Sequence, residues 1–154
     1  MMKHPVLDLE GFLPYRLSVL TNTISGALAE AYGSRYKLSI PEWRVMAILA
    51  RFPGSSAGEV AERAAMDKVA VSRAVSRLLD AGRIQRRFAS ADRRRSILEL
   101  SDEGWRIYGK IMPTIMTYES ELLSGLSRAE QRQLDRLLAM LAGRARDLPT
   151  PEID

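Results

Sequence analysis

Residues Ser56 to Ile84 read Ser-Ala-Gly-Glu-Val-Ala-Glu-Arg-Ala-Ala-Met-Asp-Lys-Val-Ala-Val-Ser-Arg-Ala-Val-Ser-Arg-Leu-Leu-Asp-Ala-Gly-Arg-Ile, and Gln85 to Leu100 continue Gln-Arg-Arg-Phe-Ala-Ser-Ala-Asp-Arg-Arg-Arg-Ser-Ile-Leu-Glu-Leu. Ser56 and Glu59 have capping-box spacing and open a short helix ending near Ala65. Asp67 is placed to cap a second helix, and Gly82 to end it at the left-handed position. Ile84 to Phe88 and Ser96 to Leu100 read as two short strands, joined by the polar tip Ala89 to Arg95. The pattern is a helix, a tight turn, a second helix and an arginine-rich hairpin wing.

Outward from this stretch, helices dominate. Leu13, Leu17, Leu20, Ile24, Ala27 and Ala31 recur at helical spacing and predict a long first helix from about Pro14 to Tyr32, broken by Gly33 and Ser34. Ser39-Ile40-Pro41-Glu42 is a capping box that opens a second helix, which stops at Phe52-Pro53-Gly54. Ser101 caps a fifth helix with Asp102 and Glu103 in its first turn, and Pro113 is expected to kink it. Ser127 to Glu130 is a further capping box, and Leu134, Leu137, Leu138 and Leu141 mark a sixth helix. The expected fold is mainly α with a small β-wing, a winged helix-turn-helix of about six helices. We divide it into an N-terminal dimerisation helix (1–38), a winged helix-turn-helix lobe (39–100), C-terminal dimerisation helices (101–148) and a loose tail (149–154), together one compact unit.

Composition narrows the function. The chain of 154 residues has no cysteine and one histidine, His4. Disulfides, thiolate metal sites and histidine-based catalysis are therefore excluded, and no metal or other cofactor is expected. No paired carboxylates, nucleophile–base set or phosphate-cradling glycine loop is visible, so no catalytic residue is assigned. There is no apolar run of membrane-spanning length, and the N-terminus lacks the apolar core of a secretion signal; the expected location is cytoplasmic. Charge is uneven. Met1 to Glu62 is neutral, Arg63 to Arg95 carries a net +7, and Ser96 to Asp154 a net −3. One basic block on a neutral or acidic body points to a polyanionic partner at that block.

The basic helix supplies the detail. At 100° per residue, Val71, Ala74, Val75 and Leu78 share one face, with Leu79 at its edge. Val69, Arg73 and Ser76 lie opposite, flanked by Lys68, Ser72 and Arg77. Arginine can donate two hydrogen bonds to guanine, and an aliphatic group can touch a thymine methyl, so Arg73 and Val69 suit base reading. Lys68, Ser72 and Arg77 suit phosphates. On the wing, Arg86, Arg87, Arg93, Arg94 and Arg95 repel one another in isolation and gain counterion release beside a phosphate backbone. Asp92 is the one acid at the tip. It either orients a neighbouring arginine toward a minor groove or stabilises the turn, and the two roles are compatible. These residues point to double-stranded DNA. One such helix reads too few base pairs for genomic specificity, so a homodimer on a pseudo-palindromic operator is expected. The competing readings are a helical adaptor whose basic face binds an acidic protein and a small helical enzyme.

From about Leu9 to Arg146 the chain resembles the MarR-type winged-helix regulators. The wing Asp92-Arg93-Arg94-Arg95-Ser96-Ile97-Leu98-Glu99-Leu100-Ser101 fits that family's pattern of Asp, any residue, Arg and a hydrophobic strand ending in Leu-Ser/Thr. Leu78-Leu79-Asp80-Ala81-Gly82-Arg83-Ile84 is similar to its recognition-helix exit, and Ile40-Pro41-Glu42-Trp43-Arg44 to its second-helix entry. The resemblance implies that Arg94 enters the minor groove with Asp92 supporting it. It implies a homodimer formed by the first, fifth and sixth helices, and repression relieved by a small-molecule effector. The effector site implied by the family lies between the dimerisation helices and the DNA-binding lobe, where Tyr15, Arg16, Trp43 and Arg44 are candidate lining residues, suited to an aromatic or acidic ligand. The cysteine-based oxidant sensors of the family have no counterpart here.

Overall fold

Local signals set most of the helix boundaries. The computed structural model describes residues 4–89 and 92–153. Its elements are α1 (Leu13–Tyr36), α2 (Ile40–Arg51), α3 (Ala57–Ala64), α4 (Lys68–Asp80), β1 (Ile84–Ala89), β2 (Asp92–Leu100), α5 (Asp102–Leu123) and α6 (Arg128–Asp147). All three expected capping boxes close: the Ser39, Ser56 and Ser127 side chains accept from the N–H groups of Glu42, Glu59 and Glu130. In return the three glutamates accept from the cap N–H groups. Asp67 accepts from Ala70 N–H at 2.9 Å and starts α4. Helix α4 ends in a Schellman turn. Gly82 sits at φ 69° and donates to Leu79 O, while Arg83 donates to Leu78 O.

The end of α1 and the tip ends of both wing strands differ from the sequence reading. Helix α1 does not break at Gly33 and Ser34 but runs on to Tyr36. One glycine costs a helix only about 1 kcal/mol, and the buried ring of Tyr32 anchors this turn. The Arg83 guanidinium donates to Tyr36 O from 47 residues away, and Lys37, in the left-handed region at φ 56°, terminates the helix by donating to Gly33 O. The wing strands are also longer than expected. Pairing runs from Ile84↔Leu100 through Phe88↔Ser96 and, after a bulge, to Ala89↔Asp92, so Arg93 to Arg95 lie on β2.

The chain divides into two compact units, Met1–Met112 and Pro113–Asp154, with the division inside α5, which continues through Pro113. In the first unit Val45, Met46 and Leu49 of α2 are buried with Val60 of α3, Val71 and Leu78 of α4, Leu98 of β2 and Ile107 of α5. The wing is tied to this core by Leu98, which donates to Ser55 O and accepts from Gly54 N–H. At the root of the wing, Ser101 N–H donates to Arg83 O and its hydroxyl to Gly82 O. Helix α1 buries only Tyr32 and leaves Leu13, Leu17 and Leu20 exposed. In the second unit α6 buries no residue, and Leu134, Leu137, Leu138 and Leu141 are exposed along it. Among the described residues no helix is long and apolar enough to cross a membrane. Nor, among them, do three or more histidine, cysteine or acidic side chains gather to hold a metal.

Candidate nucleic-acid interface

Helix α4 sorts its side chains as its wheel requires. Val71, Ala74, Val75 and Leu78 are buried, while Lys68, Val69, Ser72, Arg73, Ser76 and Arg77 are exposed. Val69 is 56% exposed, an aliphatic group held in water on an otherwise polar face. Arg73 and Arg77 line one side of a cleft with Ala70 and Ala74, facing Ser39 and Pro41 at the start of α2. The exposed face therefore offers three cations, two hydroxyls and one apolar group on a rigid helix whose back is locked in the core.

The wing presents two faces. Ile84, Arg86 and Phe88 share one with Ser96, Leu98 and Leu100; Gln85 and Arg87 share the other with Ile97 and Glu99. Near the root the first face is core. Toward the tip it is exposed, with Arg86 Nη1 donating to Ser96 Oγ at 2.6 Å and Phe88 63% exposed. On the second face Glu99 pairs with Arg87 and accepts from Gln85 Nε2 at 2.6 Å. The wing's arginines are therefore not a purely repelling set, because the Glu99 carboxylate neutralises one of them. The strand register, which sets Glu99 opposite Gln85 and diagonal to Arg87, is the signal that finds it. The side chains of Asp92, Arg93, Arg94 and Arg95 lie outside the described residues.

The four residues suggested for an effector fall in different surroundings. Tyr15 and Arg16 are exposed on α1 and border a depression with Glu10, Val19, Leu20 and Thr23. Trp43 is stacked between Tyr32 and Tyr108, with ring centroids 5.7 and 5.4 Å away, and Trp105 meets Tyr108 edge-on at 5.8 Å. Arg44 Nη1 donates to Ala64 O at 3.1 Å and so caps the end of α3. Burial pushes the Tyr32 hydroxyl above the usual tyrosine range, and the nearby Arg44 charge offsets part of that rise.

The order of elements and the wing match known proteins. A profile of the MarR family matches residues 36–95. Together with the relatives and solved structures below, this match supports a MarR-type winged helix-turn-helix regulator. The chain is 27% identical over 132 residues to the HTH-type transcriptional repressor Rv2887 of Mycobacterium tuberculosis, covering 85% of this chain and 91% of that one. It is 29% identical over 140 residues to the HTH-type transcriptional regulator PecS of Dickeya dadantii, covering 88% and 84%. Among solved structures, it superposes on the PcaV transcriptional regulator of Streptomyces coelicolor, determined with its natural ligand, at a TM-score of 0.74 and 25% identity, covering 92% of this chain and 99% of that one. The fold and these relatives are those of transcriptional regulators, not of enzymes.

Proposed function

We propose that this MarR-type regulator is a sequence-specific repressor that binds a pseudo-palindromic DNA operator as a homodimer and is released by a small aromatic or acidic molecule in the cytoplasm. The observation that carries DNA binding is the outer face of α4, where Lys68, Val69, Ser72, Arg73, Ser76 and Arg77 are all exposed while every fourth or third residue between them is buried. In this reading Arg73 and Val69 read base edges, and Lys68, Ser72, Ser76 and Arg77 set the register on phosphates and bases. Arg94 enters the minor groove with Asp92 in support, while Arg86, Arg93 and Arg95 are the wing's remaining candidates for the backbone.

Dimerisation through the helices of 1–38 and 101–148 is supported by their uncovered leucines: Leu13, Leu17 and Leu20 on α1, and Leu137, Leu138 and Leu141 on α6. Release by a ligand is supported by the likeness to PcaV, whose solved structure holds its natural ligand. Tyr15, Arg16, Trp43 and Arg44 are proposed to contribute to that response. The test is to incubate the purified protein with fragmented genomic DNA, sequence what it retains, and titrate the recovered duplex. A half-site repeat about one helical turn apart is expected. Salt-sensitive capture of an acidic protein with no duplex preference would overturn the reading.

A further inference from the structure

The wing carries a residue that works against its own basic charge. Glu99 Oε1 lies against Arg87 Nε and accepts from Gln85 Nε2 at 2.6 Å. Gln85 stands directly opposite Glu99, one pair from the root of the hairpin at Ile84↔Leu100, whereas Arg87 stands opposite Ile97, farther toward the tip. The ion pair thus draws the Arg87 guanidinium back along the strand toward the root. The Glu99 side chain is only 20% exposed, while that of Arg87 is 63% exposed. The carboxylate is the more buried member and the arginine the more exposed one. On the other face, Arg86 is bonded to the neutral hydroxyl of Ser96.

From this geometry we infer that Glu99 sets DNA specificity by withdrawing Arg87 from the phosphate backbone, holding down the wing's sequence-independent attraction. Every phosphate neutralised strengthens binding to matched and random duplexes alike, so a cation outside the base-reading set erodes discrimination. A carboxylate that occupies one of the wing's arginines raises the specificity ratio without touching a base. Arg87, expected from the sequence to face the backbone, is then held off it, and Glu99 is a positioning residue. The inference rests on the DNA-binding reading.

The experiment uses the full chain as wild type, Glu99→Gln, Arg87→Ala and the double variant, each checked for folding by circular dichroism. Binding to a retained duplex and to a random duplex is followed by fluorescence anisotropy from about 50 to 200 mM salt. Glu99→Gln is expected to bind the random duplex more tightly and to steepen the logarithmic salt slope by about 0.9 per protomer, an extra loss of roughly threefold in affinity over that range. Its ratio of matched to random affinity falls. Arg87→Ala leaves the wild-type slope unchanged, and the double variant behaves like Arg87→Ala. A flatter slope for Arg87→Ala alone would show that Arg87 already contacts phosphate and would overturn the inference. So would an unchanged Glu99→Gln, or a gain that survives in the double variant, since Glu99 would then act only through its own repulsion of DNA. Wild-type protein that binds no duplex would instead refute the DNA-binding reading on which the inference stands.

Discussion

Replacing Gly104 by alanine should destabilise the protein, although glycine to alanine in a helix normally does the reverse. A Cβ at Gly104 would lie 2.0 Å from the Arg83 carbonyl oxygen, 3.1 Å from the Arg83 carbonyl carbon and 3.3 Å from Leu100 Cδ2. The oxygen has little room to move. It accepts from Ser101 N–H at 3.1 Å, and the same turn is held by Arg83 N–H on Leu78 O at 2.9 Å and by Ser101 Oγ on Gly82 O at 2.6 Å. The start of α5 must therefore recede by about 1 Å to restore ordinary contact. Overpacking of this kind costs about 1–3 kcal/mol, and each strained turn hydrogen bond about 1 kcal/mol more. Alanine's helix preference returns at most about 1 kcal/mol. The net loss is about 2–3 kcal/mol, a fall in melting temperature of roughly 5–10 °C for a chain of this size. Gly109, in the same helix with nothing within 4 Å of its added Cβ, is the control. Gly109→Ala should gain about 0.5–1 kcal/mol. Thermal denaturation at one fixed protein concentration, to hold self-association constant, measures both. A Gly104→Ala variant as stable as wild type would refute the close-approach argument.

Four further outcomes are expected. Ala65 occupies the left-handed region at φ 51°, so Ala65→Gly should stabilise by about 0.5–1 kcal/mol in urea titration, the steric relief exceeding glycine's entropy cost. Arg73→Ala should cost about 1–3 kcal/mol per half-site and relax base preference at one position, whereas Lys68→Ala should weaken all duplexes alike and flatten the salt slope by about one; titrations on matched and mismatched duplexes separate the two. Asp92→Ala and Arg94→Ala should each weaken operator binding, the double variant losing less than the sum because the residues act as a unit; a tighter Asp92→Ala complex would reduce Asp92 to a turn residue. The folded-state pKa of Tyr32 is raised above 10.0, so its contribution to stability is present below that pH and is lost as pH climbs toward the folded value. Melting curves across that range should fall less for Tyr32→Phe, which keeps the ring stack and removes the titrating hydroxyl.

The effector side is where local reading and packing diverge most. Tyr15 and Arg16 sit on an open face of α1, while Trp43 is held in a ring stack and Arg44 is engaged with the α3 carbonyl. Nothing in the residue types at positions 43 and 44 announces those partners. Tyr108 lies 65 positions from Trp43, and Ala64 lies 20 from Arg44, so only the folded chain brings them together.

By itself the sequence determined the helix starts, the Gly82 turn and the two faces of α4, because each depends on groups within about four residues of one another. Ser39 and Glu42, Ser56 and Glu59, and Asp67 and Ala70 meet as soon as one turn forms. The tertiary structure alone decided that α1 continues past Gly33, that Gly104 must lack a Cβ, and that Arg87 pairs with Glu99 while Arg86 donates to Ser96. The first depends on Arg83 reaching Tyr36, the second on α5 meeting the α4–β1 turn, and the third on a strand register that sets Glu99 beside Arg87. Each rests on a contact between residues a dozen or more positions apart, whose geometry is set by the packing of the whole unit and not by any local preference.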